Sequence, residues 1–219
     1  GYTYYRKVSM IRLPIRLGQE VFMNGALSSE TAERFTEGMR AYKHFLKVHG
    51  VQGFKAVATS AMREATNGME LVKTVKEATG IDIQIIDGEE EARLVFNSKL
   101  YDIMQAPQKN FIYVDVGGGS TEITVIQDKK VLASESFKLG GVRIMNSLDQ
   151  PEEWARMKLW LEKQTRNIKD KAAIGAGGNI NKLHKLSLKS LSTPLRLSYI
   201  HEQWNMINDM DVEERITKL

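Results

Sequence analysis

The spacing of apolar positions in the first half of the chain predicts strands that alternate with helices. A long helix is predicted to begin at Ser28, a capping residue, and to end before Gly50. Its apolar face consists of Ala32, Phe35, Met39, Tyr42 and Leu46. The other elements predicted here are strands over 8–17, 54–59 and 81–86 and helices over 70–79 and 89–104. This βαβαβα order predicts a largely parallel sheet covered by helices.

The second half begins with three short apolar segments that follow one another without a helix between them. They predict a three-stranded meander over 111–116, 121–126 and 131–139, with a polar turn at 127–130. Beyond the meander, the pattern predicts helices over 151–167, from 179 and from 211, and a strand over 171–174. The two halves have similar element orders. We therefore expect one repeated unit in two domains, 1–106 and 107–219, with the first domain lacking its opening hairpin.

The composition is ordinary for a soluble globular protein, with 42% hydrophobic and 26% charged residues among 219. There is no cysteine, which excludes disulfides and thiolate metal sites and is compatible with a reducing cytoplasm. No apolar run approaches the roughly 20 residues that span a bilayer, and the N-terminal residues lack a signal-peptide core. We therefore expect a cytoplasmic protein without a membrane segment.

The charge mildly favours an anionic partner, because the net charge is +4 and the pI is about 9.1. Nucleic acid is not expected to be this partner, since aromatic residues do not interleave with Lys and Arg on any one segment. The histidines do not form a helical metal pair, so each is expected to be a surface or packing residue. They are His44, His49, His184 and His201.

A glycine run between two predicted strands is the strongest chemical signal in the chain. Gly117, Gly118, Gly119 and Ser120 lie in the sequence D-V-G-G-G-S-T-E at 115–122. Consecutive backbone N–H groups in such a turn can surround phosphate oxygens. The flanking carboxylates, Asp115 and Glu122, are suitable ligands for Mg²⁺. The alternative interpretation is a glycine-rich hairpin turn with two solvated acids.

Three other segments fit the handling of anions. Arg63 follows a predicted strand, where ligands of α/β sheets gather, although it could also be a surface arginine paired with Glu64 or Glu70. Carboxylates at 87–91 begin a predicted helix, where acids also serve simply to stabilise the helix dipole. Glycines at 175–178 lie between a predicted strand and helix, which suits either phosphate binding or a tight helix entry.

In this order, the segments resemble the exopolyphosphatase and guanosine pentaphosphate phosphohydrolase (Ppx/GppA) family of the actin-like, ribonuclease H-like superfamily. The resemblance covers nearly the whole chain. Its motifs are A-T-S-A-M-R-E-A-T-N at 58–67, G-E-E-E-A-R-L at 88–94, the run at 115–122 and G-A-G-G at 175–178. It implies an α/β fold of two ribonuclease H-like domains with a cleft between them. The D-x-G-S-N type hairpin of the family has no counterpart in this sequence, and whether it lies upstream or is absent stays open.

The resemblance also implies roles for individual residues. Glu91 would be the general base that activates water, with Glu89 and Glu90 as alternatives, and Arg63 would contact the substrate phosphate. Asp115 and Glu122 would hold Mg²⁺. The phosphate-binding residues would be Gly117, Gly118, Gly119, Ser120, Gly175, Gly177 and Gly178. The segment 140–143 also matches the family, and we expect it to matter mainly for backbone geometry.

The implied function is hydrolytic release of terminal orthophosphate from inorganic polyphosphate, guanosine pentaphosphate or both. A basic groove could bind a long polyanion, drawing on some of Lys138, Arg143, Lys182 and Lys185. Two alternatives stay open. One is an ATP-dependent small-molecule kinase of the same superfamily, and the other is a sensor that binds polyphosphate or guanosine polyphosphates without cleaving them. Such families are often dimeric, so a homodimer is an additional expectation.

Overall fold

The computed structural model describes residues 10–94, 108–190 and 193–218. It divides into two compact units, Gly1–Ile174 and Gly175–Leu219. The predicted domain boundary at 106/107 falls at the edge of the residues outside the described ranges and stays a prediction. The elements before that gap are α1 (Leu17–Asn24), α2 (Ser29–Val48), β1 (Ala56–Ala58), α3 (Ser60–Glu64), α4 (Gly68–Thr79) and β2 (Ile83–Ile85), followed by helical residues 88–94.

The remaining elements begin with the predicted meander. They are β3 (Asn110–Val116), β4 (Thr121–Gln127), β5 (Lys130–Phe137), α5 (Gly141–Met145), α6 (Pro151–Thr165), β6 (Lys171–Ala176), α7 (Gly178–Leu186), α8 (Leu197–Asp209) and α9 (Val212–Lys218). The helix predicted over 89–104 can be followed to residue 94, and its remainder lies outside the described residues. Among the described residues, no helix is long and apolar enough to cross a membrane.

The first sheet pairs β1 with β2 in parallel, as the alternating pattern predicts, with Ala56 opposite Ile83. Helices α2 and α4 cover it, and the buried core includes Leu71, Val75 and Ile83. Helix α2 begins at the predicted position, because the Ser28 side chain accepts a hydrogen bond of 3.2 Å from the Thr31 N–H.

The strand predicted over 8–17 is wrong for the residues that the structure describes. Residues 10–16 are irregular, and α1 begins at Leu17. Pro14 has no N–H to donate to a neighbouring strand. The Ile11 carbonyl accepts a hydrogen bond from the Tyr42 hydroxyl, 2.8 Å away on α2. This segment is therefore held by a side chain of α2, and its apolar residues do not alternate across a sheet.

The second sheet has the order β5-β4-β3-β6, with β3, β4 and β5 antiparallel. The predicted meander is confirmed. One face is apolar, and its Ile123 and Phe137 pack with Trp160 and Leu161 of α6. On the opposite face, Asp115 lies across from Glu122 in the ladder, and Glu122 lies across from Ser136. Because side chains alternate along a strand, these three polar residues lie on the face that points away from α6.

The described residues of the second unit include the helices α7, α8 and α9. The sequence pattern predicts α7 and the charged helix α9, while α8 is not among the predicted elements. The side chains of Leu197 and Trp204 in α8 are mostly exposed. Apolar residues of α8 nevertheless recur at helical spacing, at 197, 200, 204 and 207. The sequence therefore holds a signal for this helix that the prediction overlooked.

Candidate active site

On the face of the second sheet that points away from α6, three polar side chains form one cross-strand row. Asp115, Glu122 and Ser136 occupy matched positions on β3, β4 and β5. The Ser136 hydroxyl donates a 3.0 Å hydrogen bond to Glu122 Oε1. Glu122 is only 5% exposed, and this burial raises its pKa above the usual value, while hydrogen bonds from Ser120 and Ser136 act in the opposite direction.

The helical residues 88–94 bring Glu91 to this row. Gly88 permits the approach, because a Cβ there would lie 2.7 Å from Ser136 Oγ and closer still to Ser136 Cβ. Burial, followed by the charge of Glu122, raises the pKa of Glu91 to about 7, while the charge of Arg63 lowers it. Within the described part of the chain, Glu91 Oε2 is buried and has no hydrogen-bond partner. Glu91 is therefore a half-buried carboxylate that titrates near neutral pH.

Arg63 supplies the positive charge of this cluster. It lies on the short helix α3, and its Nη1 is 4.0 Å from Glu91 Oε2 and donates to the Ile86 carbonyl. Neither of the partners considered from the sequence, Glu64 or Glu70, forms an ion pair with Arg63 among the described residues. Arg63 thus faces the carboxylates at the carboxyl end of β2.

The neighbouring glutamates point elsewhere. Glu90 Oε1 is 3.0 Å from Lys55 Nζ and 3.5 Å from an Arg93 nitrogen, so it belongs to a partly exposed surface network. Glu89 is exposed. Of the three glutamates that the sequence leaves as alternatives, Glu91 is the one that forms an ion pair with Arg63 among the described residues.

The first glycine turn is held on its carbonyl side by the segment 140–143. The carbonyls of Gly117 and Gly118 each accept a 2.9 Å hydrogen bond, from the N–H groups of Gly141 and Val142. The third carbonyl, that of Gly119, accepts a 2.6 Å hydrogen bond from Arg143 Nε. Three consecutive carbonyls are thus bound by three consecutive residues, which fixes the orientation of the peptide groups of the turn.

Arg143 is a residue whose role the sequence analysis missed. It is 8% exposed, so the structure places it inside the protein and not in an exposed basic groove. Its Nη2 lies 2.5 Å from both Glu64 carboxylate oxygens, and its guanidinium carbon is 4.2 Å from the centroid of the Phe22 ring. Glu64 is 79 residues away in sequence, so no local pattern could have revealed the pair.

The second glycine turn lies at the junction of β6 and α7. Gly177 has φ +104 and ψ 173, a backbone conformation that residues with a Cβ rarely adopt. A Cβ at Gly175 would lie 2.8 Å from Ile180 Cγ1, while one at Gly178 would meet no described atom within 4 Å. These are the predicted positions at the N-terminus of a nine-residue helix.

Asp115 and Glu122 can hold a hard divalent cation. They face each other across the β3–β4 ladder. Burial raises the pKa of Glu122, and a nearby cation would lower it again. In residues 10–94, 108–190 and 193–218 there is no cluster of three or more side chains of the metal-binding types. Mg²⁺ fits such a sparse set, because it keeps several waters and commonly uses one or two carboxylates plus substrate phosphates.

An arginine, paired carboxylates and a glycine turn at one edge of an α/β fold are typical of proteins that bind phosphate groups. Comparison with known sequences agrees with this class. The chain belongs to the Ppx/GppA phosphatase family, whose sequence model matches residues 6–219.

Solved structures confirm the predicted fold class. A Ppx/GppA family member of Aquifex aeolicus is 27% identical with a TM-score of 0.72, and the match covers 93% of this chain and 71% of the other. An exopolyphosphatase from Cytophaga hutchinsonii is 22% identical with a TM-score of 0.66, and the match covers 84% and 62% of the two chains.

Among curated proteins, the chain is similar to a bifunctional 3-dehydroquinate synthase/phosphatase of Fusobacterium nucleatum. The two are 28% identical over 166 residues, which is 71% of this chain. The chain spans about a quarter of the length of that relative, because the match covers 25% of it.

Proposed function

We propose that the protein is a phosphoanhydride hydrolase that releases terminal orthophosphate from inorganic polyphosphate, guanosine pentaphosphate or both. The observation that carries this proposal is the position of Glu91, a carboxylate with a pKa of about 7, beside Arg63, Asp115 and Glu122. Enzymes commonly tune general bases to a pKa near the working pH. Membership of the Ppx/GppA phosphatase family and similarity to an exopolyphosphatase support the same reaction.

In the proposed reaction, Glu91 orients a water molecule toward the terminal phosphorus and accepts one of its protons on its carboxylate. The water oxygen forms the new P–O bond as the bond to the bridging oxygen breaks, and the shortened substrate leaves with a negative charge on that oxygen. Arg63 is placed to bind the phosphoryl oxygens, because a guanidinium forms strong, directional hydrogen bonds to phosphate. The N–H groups of the first glycine turn would bind the same oxygens.

We propose Mg²⁺ as the cofactor, with Asp115 and Glu122 as the residues that hold it. When bound, it would supply positive charge that offsets the charge on the phosphate oxygens. Without a cation, the negative charges of Asp115 and Glu122 would repel the phosphate. Gly175, Gly177 and Gly178 are proposed to bind phosphate as well, since they form the turn before α7.

The proposed setting is the cytoplasm, supported by the absence of cysteine from a chain with ordinary soluble composition. The proposed partner is the polyanionic substrate, in keeping with the net charge of +4. Neither a membrane nor a nucleic acid is part of this proposal, and a homodimer stays a prediction.

The test is orthophosphate release from long-chain polyphosphate and from guanosine pentaphosphate, each with Mg²⁺ and with a chelator in its place. We expect Mg²⁺-dependent release from at least one of the two substrates, and the ratio of the two rates would identify the preferred one. Folded protein that releases none would contradict the proposal. Tight binding without release would then favour the sensor, and ATP-dependent phosphorylation of a small molecule would favour the kinase.

A further inference from the structure

Arg143 is a buried cation to which the proposed reaction gives no role. Its guanidinium uses separate nitrogens for two different elements. Nε donates to the Gly119 carbonyl in the first glycine turn, and Nη2 contacts the carboxylate of Glu64 on α3. The guanidinium carbon lies over the Phe22 ring of α1. One side chain therefore joins three parts of the first unit.

The two elements that Arg143 joins are those that carry the predicted phosphate contacts. Gly119 belongs to the turn whose N–H groups would bind phosphate, and Glu64 follows Arg63 directly in sequence. Because α3 is only five residues long, fixing Glu64 also fixes the backbone that carries Arg63. We propose that Arg143 is a positioning residue that sets the distance between the glycine turn and Arg63. This inference rests on the proposed function, because that function assigns the glycine turn and Arg63 to the same phosphate.

Arg143 acts through these neighbours and not on the substrate itself. It binds the carbonyl side of the turn, together with the N–H groups of Gly141 and Val142, while the N–H side is the one suited to phosphate. Its ion pair with Glu64 occupies Nη2, and its side chain is 10% exposed. A group bound in this way holds the shape of a site without contributing charge to its open side.

Lysine cannot replace these contacts. The planar guanidinium places Nε and Nη2 in a fixed fork, so that one group reaches a carbonyl and a carboxylate at the same time while stacking on a ring. A lysine ammonium keeps the charge but lacks this geometry. Arg143→Lys therefore separates the positioning role from the presence of a positive charge.

Arg156 provides a matched control in the same unit. It also contacts carboxylates, those of Glu153 and Glu135, donates to the Ser136 carbonyl, and lies 4.4 Å over the ring of Phe137. Phe137 is on the apolar face of the second sheet, opposite the face with Glu122. Arg156→Lys therefore removes the same kinds of contact, but Arg156 has no hydrogen bond to the glycine turn or to α3 among the described residues.

The experiment measures kcat and KM for polyphosphate, the inhibition constant of orthophosphate, and the melting temperature of the wild type and both variants. We expect Arg143→Lys to raise both KM and the inhibition constant by about tenfold, since small displacements of positioned groups are costly. Glu64→Gln should also raise KM and the inhibition constant, but by a smaller factor, because one acceptor oxygen remains. Arg156→Lys should lower the melting temperature and leave both constants unchanged.

Two results would overturn the inference. One is an Arg143→Lys variant with wild-type KM and inhibition constant, whatever its melting temperature. The other is an equal change in both constants for Arg156→Lys, which would indicate a general loss of stability. If the wild type binds orthophosphate but hydrolyses neither substrate, the proposed function fails while direct binding still tests Arg143. Orthophosphate affinity that Arg143→Lys leaves unchanged in that assay would contradict the positioning role.

Discussion

The two glycine turns have similar sequences but different physical reasons for their glycines. In the first, none of Gly117, Gly118 and Gly119 has a positive φ. What constrains this turn is close packing, chiefly of Phe22 and Ser60 against Gly119, together with the hydrogen bonds from 140–143. In the second, Gly177 has a positive φ of 104°. A glycine run in a sequence therefore indicates a special backbone. It does not reveal whether glycine is required by the lack of space for a Cβ or by the backbone conformation. Substitutions by alanine distinguish the two cases.

The largest effect is expected outside the first run, at Gly140. A Cβ there would lie 2.5 Å from the carbonyl carbons of Gly118 and Gly119 and closer still to the Gly118 carbonyl oxygen. Backbone atoms cannot move aside as a side chain can, so Gly140→Ala should lower the free energy of unfolding by about 3 kcal/mol. Urea unfolding measures this change. Gly141→Ala is the control, because its Cβ would be 3.8 Å from the Gly117 carbonyl oxygen, and an equal loss in both variants would contradict the packing explanation.

The next effect is expected at Gly177 in the second turn. Alanine at φ +104 and ψ 173 is strained whatever space surrounds it, so Gly177→Ala should cost roughly 1–3 kcal/mol. Thermal unfolding detects the loss. Gly177→Asn adds a sharper comparison, since Asn tolerates a left-handed helical backbone but not this extended one. Wild-type stability of both variants would show that conformation does not require glycine here.

The pH dependence of stability should come from the neighbourhood of the first glycine turn, because the carboxylate cluster lies beside that turn. The pKa of Glu91 is raised from 4.5 to about 7, so the folded protein binds more protons than the unfolded chain between these values. Stability should therefore fall as pH rises through this window, by on the order of 1–2 kcal/mol after solvent screening. Unfolding measured with a chelator at pH 5 and pH 8 should show a larger fall in the wild type than in Glu91→Gln, which keeps Glu122 and its raised pKa. Parallel pH profiles would contradict the raised pKa.

The smallest effect is expected at Gly178. An added Cβ meets no described atom within 4 Å, and the residue begins α7, where alanine favours the helix. Gly178→Ala should therefore leave the melting temperature unchanged or raise it slightly. A loss as large as that of Gly177→Ala would show that the whole turn, and not one conformation, requires glycine.

The elements predicted best from the sequence are those whose stability is local. Helix α2 has its cap and apolar face within one segment, and the meander has three apolar runs separated by turns. The strand predicted over 8–17 is wrong because the segment is held by α2, an element that is distant in sequence. The periodicity of a segment does not specify which element it packs against.

The candidate site shows the same limit. The resemblance to a family places Glu91, Arg63 and the glycine turn in one site, whereas the residues alone leave Glu89 and Glu90 as alternatives. Structure adds the long-range facts, which are the approach of Gly88 to Ser136 and the bridge from Arg143 to Glu64. Both depend on residues dozens of positions apart, so no spacing rule could predict them.

The most direct test of the proposed site compares two adjacent glutamates of one helix. Glu91→Gln and Glu90→Gln make the same chemical change, but only Glu91 faces Arg63 and Glu122, while Glu90 faces Lys55 and Arg93. The measurement is orthophosphate release at saturating substrate and Mg²⁺, with folding checked by melting temperature. We expect Glu91→Gln to lose about 10²–10⁴-fold in kcat and Glu90→Gln to remain close to the wild type. Wild-type turnover by folded Glu91→Gln would contradict the assignment of Glu91 as the base.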